Sequence, residues 1–327
     1  MVGMVLLGSK SDQGWNESHF VGLDHACREH GCALKVHEHV PEEEAALAGT
    51  VDELAGEGVN VICLTSLGYG KYVDRIAERY PNIVFYSVSG QGTARNCTPY
   101  FARMYQVRYL SGIVAGAASR TGIVGYVTAL PDAQTNRGIN AFALGMRVAN
   151  PKARLLVCFT GSWRNEIRER KCVSLLASEG ADVLTYHEDK PYVVQEAEEQ
   201  GLFSIGYNDV REEYSERFLT AALYDWNVVY KKILDDYLSG RRNVSSDYWI
   251  GLSMGGVRLY PLSPLVSAET AALVEREKER IMTSRDVYSG LIYDNTGNIR
   301  CEEGERISDS ELFNGMDWFV EGVEIYE

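Results

Sequence analysis

Trp15 and Asn16 stand where an apolar run, Met4 to Leu7, has just ended in Gly8 and a polar turn, Ser9 to Asp12. A helical pattern follows at once. In an open α/β sheet the carboxyl ends of the strands are where ligands bind. A planar indole and a two-way hydrogen-bonding carboxamide at that place suit a flat ligand with polar edges. A packed tryptophan and a helix N-cap asparagine are the structural alternative, since Asn is a favoured cap. Gly14 and the turn containing Asp12 favour a ligand loop. Trp163, in Gly161-Ser-Trp163, follows an apolar run at 153–159 and occupies the equivalent strand-end position further along. Each ring stack would add about 0.5–1.5 kcal/mol beyond the area it buries.

Further polar residues cluster after later apolar runs: His187-Glu-Asp189, and Asn208-Asp209 after Gly206. Asp189 and Asp209 would accept from ring N–H groups or serve as an acid/base pair. His187 has no second His or Cys at metal-ligand spacing. A helical pattern at 214–238 carries Tyr224 and Asn227 on one face, while Trp226 and Tyr230 share another that reads as core. The sequence holds no GxGxxG and no GxxxxGK[ST], so cofactor loops lack support. No metal or cofactor is expected, and the set looks built to bind rather than to react.

The elements that must position these residues alternate. Strands are expected at 2–7, 33–39, 59–65 and 83–88, with helices at 20–30, 41–56, after Gly68-Tyr69-Gly70 through Arg79, and at 100–119. The rhythm restarts with strands at 123–128, 153–159, 183–185 and 202–206 and helices at 136–148, 165–179 and 192–200. Short strands at 248–251 and 256–259, a charged helix at 268–283 and a hairpin within 290–300 complete the chain. This is an α/β pattern of doubly wound, mostly parallel sheets. At 327 residues it fills two lobes, expected at 1–122 plus 212–245 and at 123–211 plus 246–327. No flexible linker divides them, which implies a hinged clam-shell with ligand in the cleft. A net charge of −14 argues against nucleic acid or an anionic membrane as partner. Seven cysteines without a CxxC pair read as reduced, buried thiols. No secretory signal precedes the first strand, so the chain is either cytoplasmic or has lost its leader.

Taken together, these segments resemble the basic membrane protein (Bmp, PnrA-like) family of ABC-transporter substrate-binding lipoproteins. The residues that carry the likeness are Ser11-Asp-Gln-Gly-Trp-Asn16, Tyr100-Phe-Ala-Arg-Met-Tyr-Gln-Val-Arg-Tyr-Leu-Ser-Gly112, and Gly138-Ile-Asn-Ala-Phe-Ala-Leu-Gly145. Gly161-Ser-Trp163, Gly206-Tyr-Asn-Asp209 and Asp317-Trp-Phe-Val-Glu-Gly-Val323 add to them. The resemblance implies a type I periplasmic-binding-protein fold with three chain crossings. It implies a purine base or nucleoside as ligand, an ABC importer permease as partner, a monomer, and a periplasmic or lipid-anchored location. The stacking aromatic and edge-bonding amide of relatives fall on Trp15 and Asn16, and their acidic position on Asp209 with Asn208 beside it; Asp12, Tyr105, Trp163, Asp189 and Tyr224 complete the candidate ligand site. Nucleoside-binding relatives hold the ribose with a lysine where Tyr224 stands, so the free base is favoured. The alternatives are an intracellular purine-sensing module of the same fold and a purine-processing enzyme using Asp189 or Asp209.

Overall fold

A computed structural model describes residues 1–89, 92–208, 210, 213–241 and 248–326. The chain forms two compact units, Met1–Arg103 with Asp225–Gly256, and Met104–Tyr224 with Val257–Glu327, so it passes between them three times. The sequence-based division at 122 therefore shifts to 103, and those at 211 and 245 shift to 224 and 256.

The first unit runs β1 (Val2–Val5), α1 (Trp15–Glu29), β2 (Leu34–His37), α2 (Glu44–Gly56), β3 (Val61–Leu64), α3 (Val73–Glu78), β4 (Val84–Val88) and β5 (Cys97–Ala102). The second begins with α4 (Met104–Ala118), β6 (Ile123–Thr128), α5 (Ala133–Ala149), β7 (Arg154–Phe159), α6 (Glu166–Ser178), β8 (Val183–His187), α7 (Tyr192–Glu199), β9 (Phe203–Asn208) and β10 (Phe218–Tyr224). The chain returns to the first unit for α8 (Trp226–Leu238) and β11 (Trp249–Ile250). It ends in the second with β12 (Val257–Leu259), α9 (Ala268–Thr283), β13 (Ile292–Tyr293), β14 (Ile299–Cys301), α10 (Asp309–Asn314) and β15 (Val323–Tyr326).

The first sheet has the order β11-β5-β4-β3-β1-β2 and is parallel throughout. β1, β3 and β4 are buried along their whole length, as apolar strands covered on both faces must be. The second sheet has the order β12-β10-β9-β8-β6-β7-β15, parallel except where β12 meets β10. In each sheet the strand order reverses beside the first strand, between β1 and β3 and between β6 and β8. These are the switch points at which doubly wound folds leave a crevice.

Two expected helices begin too early. Residues 97–102 pair with β4 and β11 as a strand, and the helix starts only at Met104. Residues 218–224 pair with β9 and β12. Asp225 then caps α8 by accepting from the Val228 N–H at 3.3 Å. Tyr224 thus ends a strand of the second unit, and its supposed face-mate Asn227 lies in the first, where it pairs with His25. The reading of all seven cysteines as thiols also fails for one pair: Cys158 on β7 and Cys172 on α6 form a disulfide. A loop of this length is worth about 3 kcal/mol by chain entropy. Denaturant unfolding with and without a dithiol reductant should differ by about that amount, and coincident curves would mean that the bond contributes nothing.

Candidate functional site

Two clusters form at the two switch points, one in each unit. In the first, the β1–α1 loop is locked by its own side chains. Asp12 Oδ1 accepts from the Gly14 and Glu17 backbone N–H groups at 2.9 and 3.1 Å, which satisfies orphan donors at the start of α1. Asn16 donates to Asp12 Oδ2 at 2.8 Å and accepts from the Gly8 N–H at 3.1 Å. A Cβ on Gly8 would meet Asn16 Nδ2 at 2.8 Å, so a larger residue there would push the carboxamide out of this position. Asp12 and Asn16 therefore frame the loop.

Trp15 is the residue this frame presents. Its Nε1 donates to the Thr65 carbonyl at 2.7 Å, joining the loops after β1 and β3 across the switch point. The half-buried ring stands edge-on to His19 and Trp226, at 4.4 and 5.4 Å between centroids. His19, which the sequence reading missed, is fully buried and stacks on Trp226 at 3.8 Å. Burial pushes its pKa well below the usual range, so the imidazole is neutral. Tyr100 can only donate to the Leu64 carbonyl, so it accepts from Tyr230, which in turn accepts from His19 Nδ1–H. Trp226 and Tyr230 lie in this packed cluster, as their spacing suggested.

In the second unit Trp163 follows β7 and leans edge-on over His187, the last residue of β8, at 5.6 Å. With β6 between those strands, the indole spans the second switch point. The Trp163 carbonyl accepts from the Asp189 N–H at 2.9 Å, and the Asp189 side chain is exposed. His187 Nε2 contacts the Tyr207 hydroxyl at 2.8 Å, which contacts that of Tyr224 at 3.2 Å. Burial, then the Arg108 and Arg137 charges, hold His187 well below its usual pKa. Burial pushes Tyr224 up to about 12. Both rings are neutral hydrogen-bonding groups at physiological pH.

Asn208 closes β9 with φ +67°, a left-handed conformation that Asn tolerates better than most residues. Its Oδ1 is buried without a partner. Tyr105 donates to Asp286 at 2.5 Å and packs on Tyr288, so its hydroxyl is engaged by the tail. Asp209 lies outside the described residues. The structure thus brings Trp163, Asp189, Asn208 and Tyr224 to the carboxyl edge of the second sheet, and Trp15 to that of the first.

Arg108 was missed. It is completely buried, donates to Thr185 Oγ1 at 3.3 Å and to the Tyr186 carbonyl at 2.6 Å, and lies over Tyr207 at 4.2 Å. A lone arginine in the otherwise uncharged helix 104–118 was the available signal. Glu188, beside the favoured Asp189, was also passed over. It is 2% exposed and its Oε1 lies 2.7 Å from Thr160 Oγ1.

Comparison with known proteins fits this architecture. The Bmp family model, described as an ABC transporter substrate-binding protein, PnrA-like, matches residues 1–289. A purine-binding protein of Brucella abortus is 30% identical over 99% of this chain and 92% of its own. A Haloferax volcanii protein, named provisionally as the ABC transporter glucose-binding protein TsgA13, is 33% identical over 84% of this chain and 67% of its own. Among solved structures, a transcriptional activator of comK from Bacillus halodurans superposes with a TM-score of 0.79, at 23% identity over 87% of this chain and 98% of that one. An ABC solute-binding protein of Aeropyrum pernix gives 0.71, at 20% identity over 86% and 91%. The fold is that of type I periplasmic binding proteins. Proteins of this family are ABC transporter substrate-binding proteins, which take a small-molecule ligand to a membrane permease. On the match over 289 of its 327 residues, this chain belongs to the Bmp family of PnrA-like ABC transporter substrate-binding proteins.

Proposed function

We propose that this chain is an extracytoplasmic receptor, periplasmic or lipid-anchored, that takes up a purine and serves an ABC importer, with the free base favoured over the nucleoside. The observation that carries the reading is one indole at the switch point of each parallel sheet, Trp15 and Trp163, where α/β folds take ligands. In this reading Trp163 stacks on the purine with Asn208 and Asp189 of the same unit bonding its edges, and Trp15 is the stacking candidate of the first unit. The family resemblance sets Tyr224 where nucleoside-binding relatives carry lysine, and on that ground alone the base is favoured over the nucleoside. The Brucella relative's name supports a purine, and the Haloferax relative's name supports a sugar. The indole pair favours the purine, because a flat ring gains most from stacking.

Mass spectrometry of small molecules released on denaturation is the direct test. A purine base is the expected result; glucose or another sugar would end the purine reading. In titrations with that base, Trp15→Ala should weaken binding tenfold or more, about 1.4 kcal/mol. Trp226→Ala should lower stability more than affinity, because Trp226 is 3% exposed and packed among its neighbours. Equal losses of affinity would remove Trp15 from the site.

A second reading, an intracellular purine-responsive regulator, is favoured by a Bacillus subtilis transcriptional activator protein, med, at 23% identity over 82% of this chain. A lipid-attachment cysteine encoded upstream would exclude it, and an upstream DNA-binding segment would support it.

A further inference from the structure

We infer that Glu188 is a positioning residue that keeps a proton in the folded protein and donates it to Thr160, thereby fixing the loop that presents Trp163. The inference rests on the purine reading only for what Trp163 meets; the proton and the loop are properties of the second unit alone.

Hydrogen-bond counting carries the argument. Thr160 Oγ1 lies 2.8 Å from the Ser162 carbonyl oxygen and 2.7 Å from Glu188 Oε1. A threonine hydroxyl has one proton to give and two lone pairs to accept with. The carbonyl can only accept, so for both contacts to be hydrogen bonds the Thr160 proton must go to Ser162. The contact to Glu188 is then a hydrogen bond only if the carboxyl is protonated and donates. The relay runs from Glu188 through Thr160 to Ser162, one residue before Trp163.

The surroundings agree. Glu188 Oε2 has no hydrogen-bond partner and, among the described residues, the carboxyl has no cationic partner. A buried carboxylate left in that state would carry a heavy desolvation cost. The groups around it are Glu169 from α6, Asp189 from its own loop, and the Tyr126 hydroxyl from β6, with Arg108 beyond Tyr126. Arg168 bonds the Thr160 carbonyl at 2.7 Å, and Arg164 lies near Glu169. Burial first, with the Glu169 and Asp189 charges adding to it, outweighs what donation from Thr160 would give an ionised carboxylate and pushes Glu188 up to about 9. The loop's other end is held by Glu169, which accepts from the Asn165 N–H at 2.9 Å. The Trp163 carbonyl is already held by Asp189 N–H. With the relay in place, the segment from 160 to 165 is tied at both ends and in the middle.

The test uses the whole ligand-free chain, labelled with ¹³C at the glutamate carboxyl carbon and with 5-fluorotryptophan. One carboxyl carbon is expected to remain protonated at pH 8, to titrate near pH 9, and to vanish in Glu188→Gln. The Trp163 fluorine signal, identified with Trp163→Phe, is expected to move over the same range in the wild type and to stay put in Glu188→Gln. Absence of any glutamate protonated at pH 8 would overturn the inference, and so would an identical Trp163 titration in Glu188→Gln. A Trp163 signal unmoved while the carboxyl titrates would overturn the positioning role. If Glu188→Gln does not fold, Thr160→Val breaks the same relay and should abolish the Trp163 response while leaving the carboxyl titrating. No ligand is present in either readout, so failure of the purine reading changes neither.

Discussion

Gly145→Ala is expected to destabilise the protein by about 3 kcal/mol or more, at or above the upper end of overpacking substitutions. Helices α4 and α5 cross with backbone against backbone. A Cβ on Gly145 would land on the Tyr109 carbonyl oxygen, one on Gly112 on that of Phe142, and one on Gly116 on that of Met146. All three lie well inside van der Waals contact, and the atoms they strike belong to helix backbones that cannot swing aside. The crossing is central: α4 carries Arg108, and α5 packs over Tyr126 through Phe142 at 5.6 Å between ring centroids. The expected result is a thermal midpoint lowered by several degrees, or failure to fold. Gly49→Ala, on a helix where the new Cβ meets nothing within 4 Å, is the control and should be neutral or mildly stabilising. Equal behaviour of the two variants would mean that the close crossing is not maintained in solution.

Glu188→Gln is expected to become more stable than the wild type as pH rises. An unfolded glutamate loses its proton near pH 4.3, whereas the folded one keeps it to about 9. Below the lower value both states are protonated and the residue does not disfavour folding. Between the two values only the folded state holds the proton, so each unit of rising pH costs up to about 1.4 kcal/mol. Above about 9 the loss is complete, several kcal/mol in all. Glutamine cannot ionise, yet its amide can donate to Thr160 as the protonated acid does. Urea unfolding at pH 5, 7 and 9 should therefore give two stability curves that diverge, with the variant above. Parallel curves would show that Glu188 is ionised in the native protein. Glu169, buried on α6 and pushed up to about 7 mainly by desolvation, should show the same sign over a shorter window.

The alternation of strands and helices was legible because its signals are local. Apolar runs such as Val61–Leu64, bounded by turn residues, read as buried parallel strands, and Asn165 before a periodic segment marks a helix start. The positions of Trp15 and Trp163 at strand ends were legible for the same reason. Segments 97–102 and 218–224 misled because strand and helix compete in short apolar runs, and pairing with β4 and with β9 decides the outcome.

What the sequence by itself determined is the α/β order, the family resemblance and the location of the indoles, since each depends on neighbours within a few residues. Only the tertiary structure decided that Asn16 and Asp12 bond each other, that Cys158 meets Cys172, and that Glu188 faces Thr160. Those outcomes depend on residues up to 28 positions apart becoming neighbours away from water. The charge of a carboxyl and the partner of an amide are set by that environment, which no local pattern encodes.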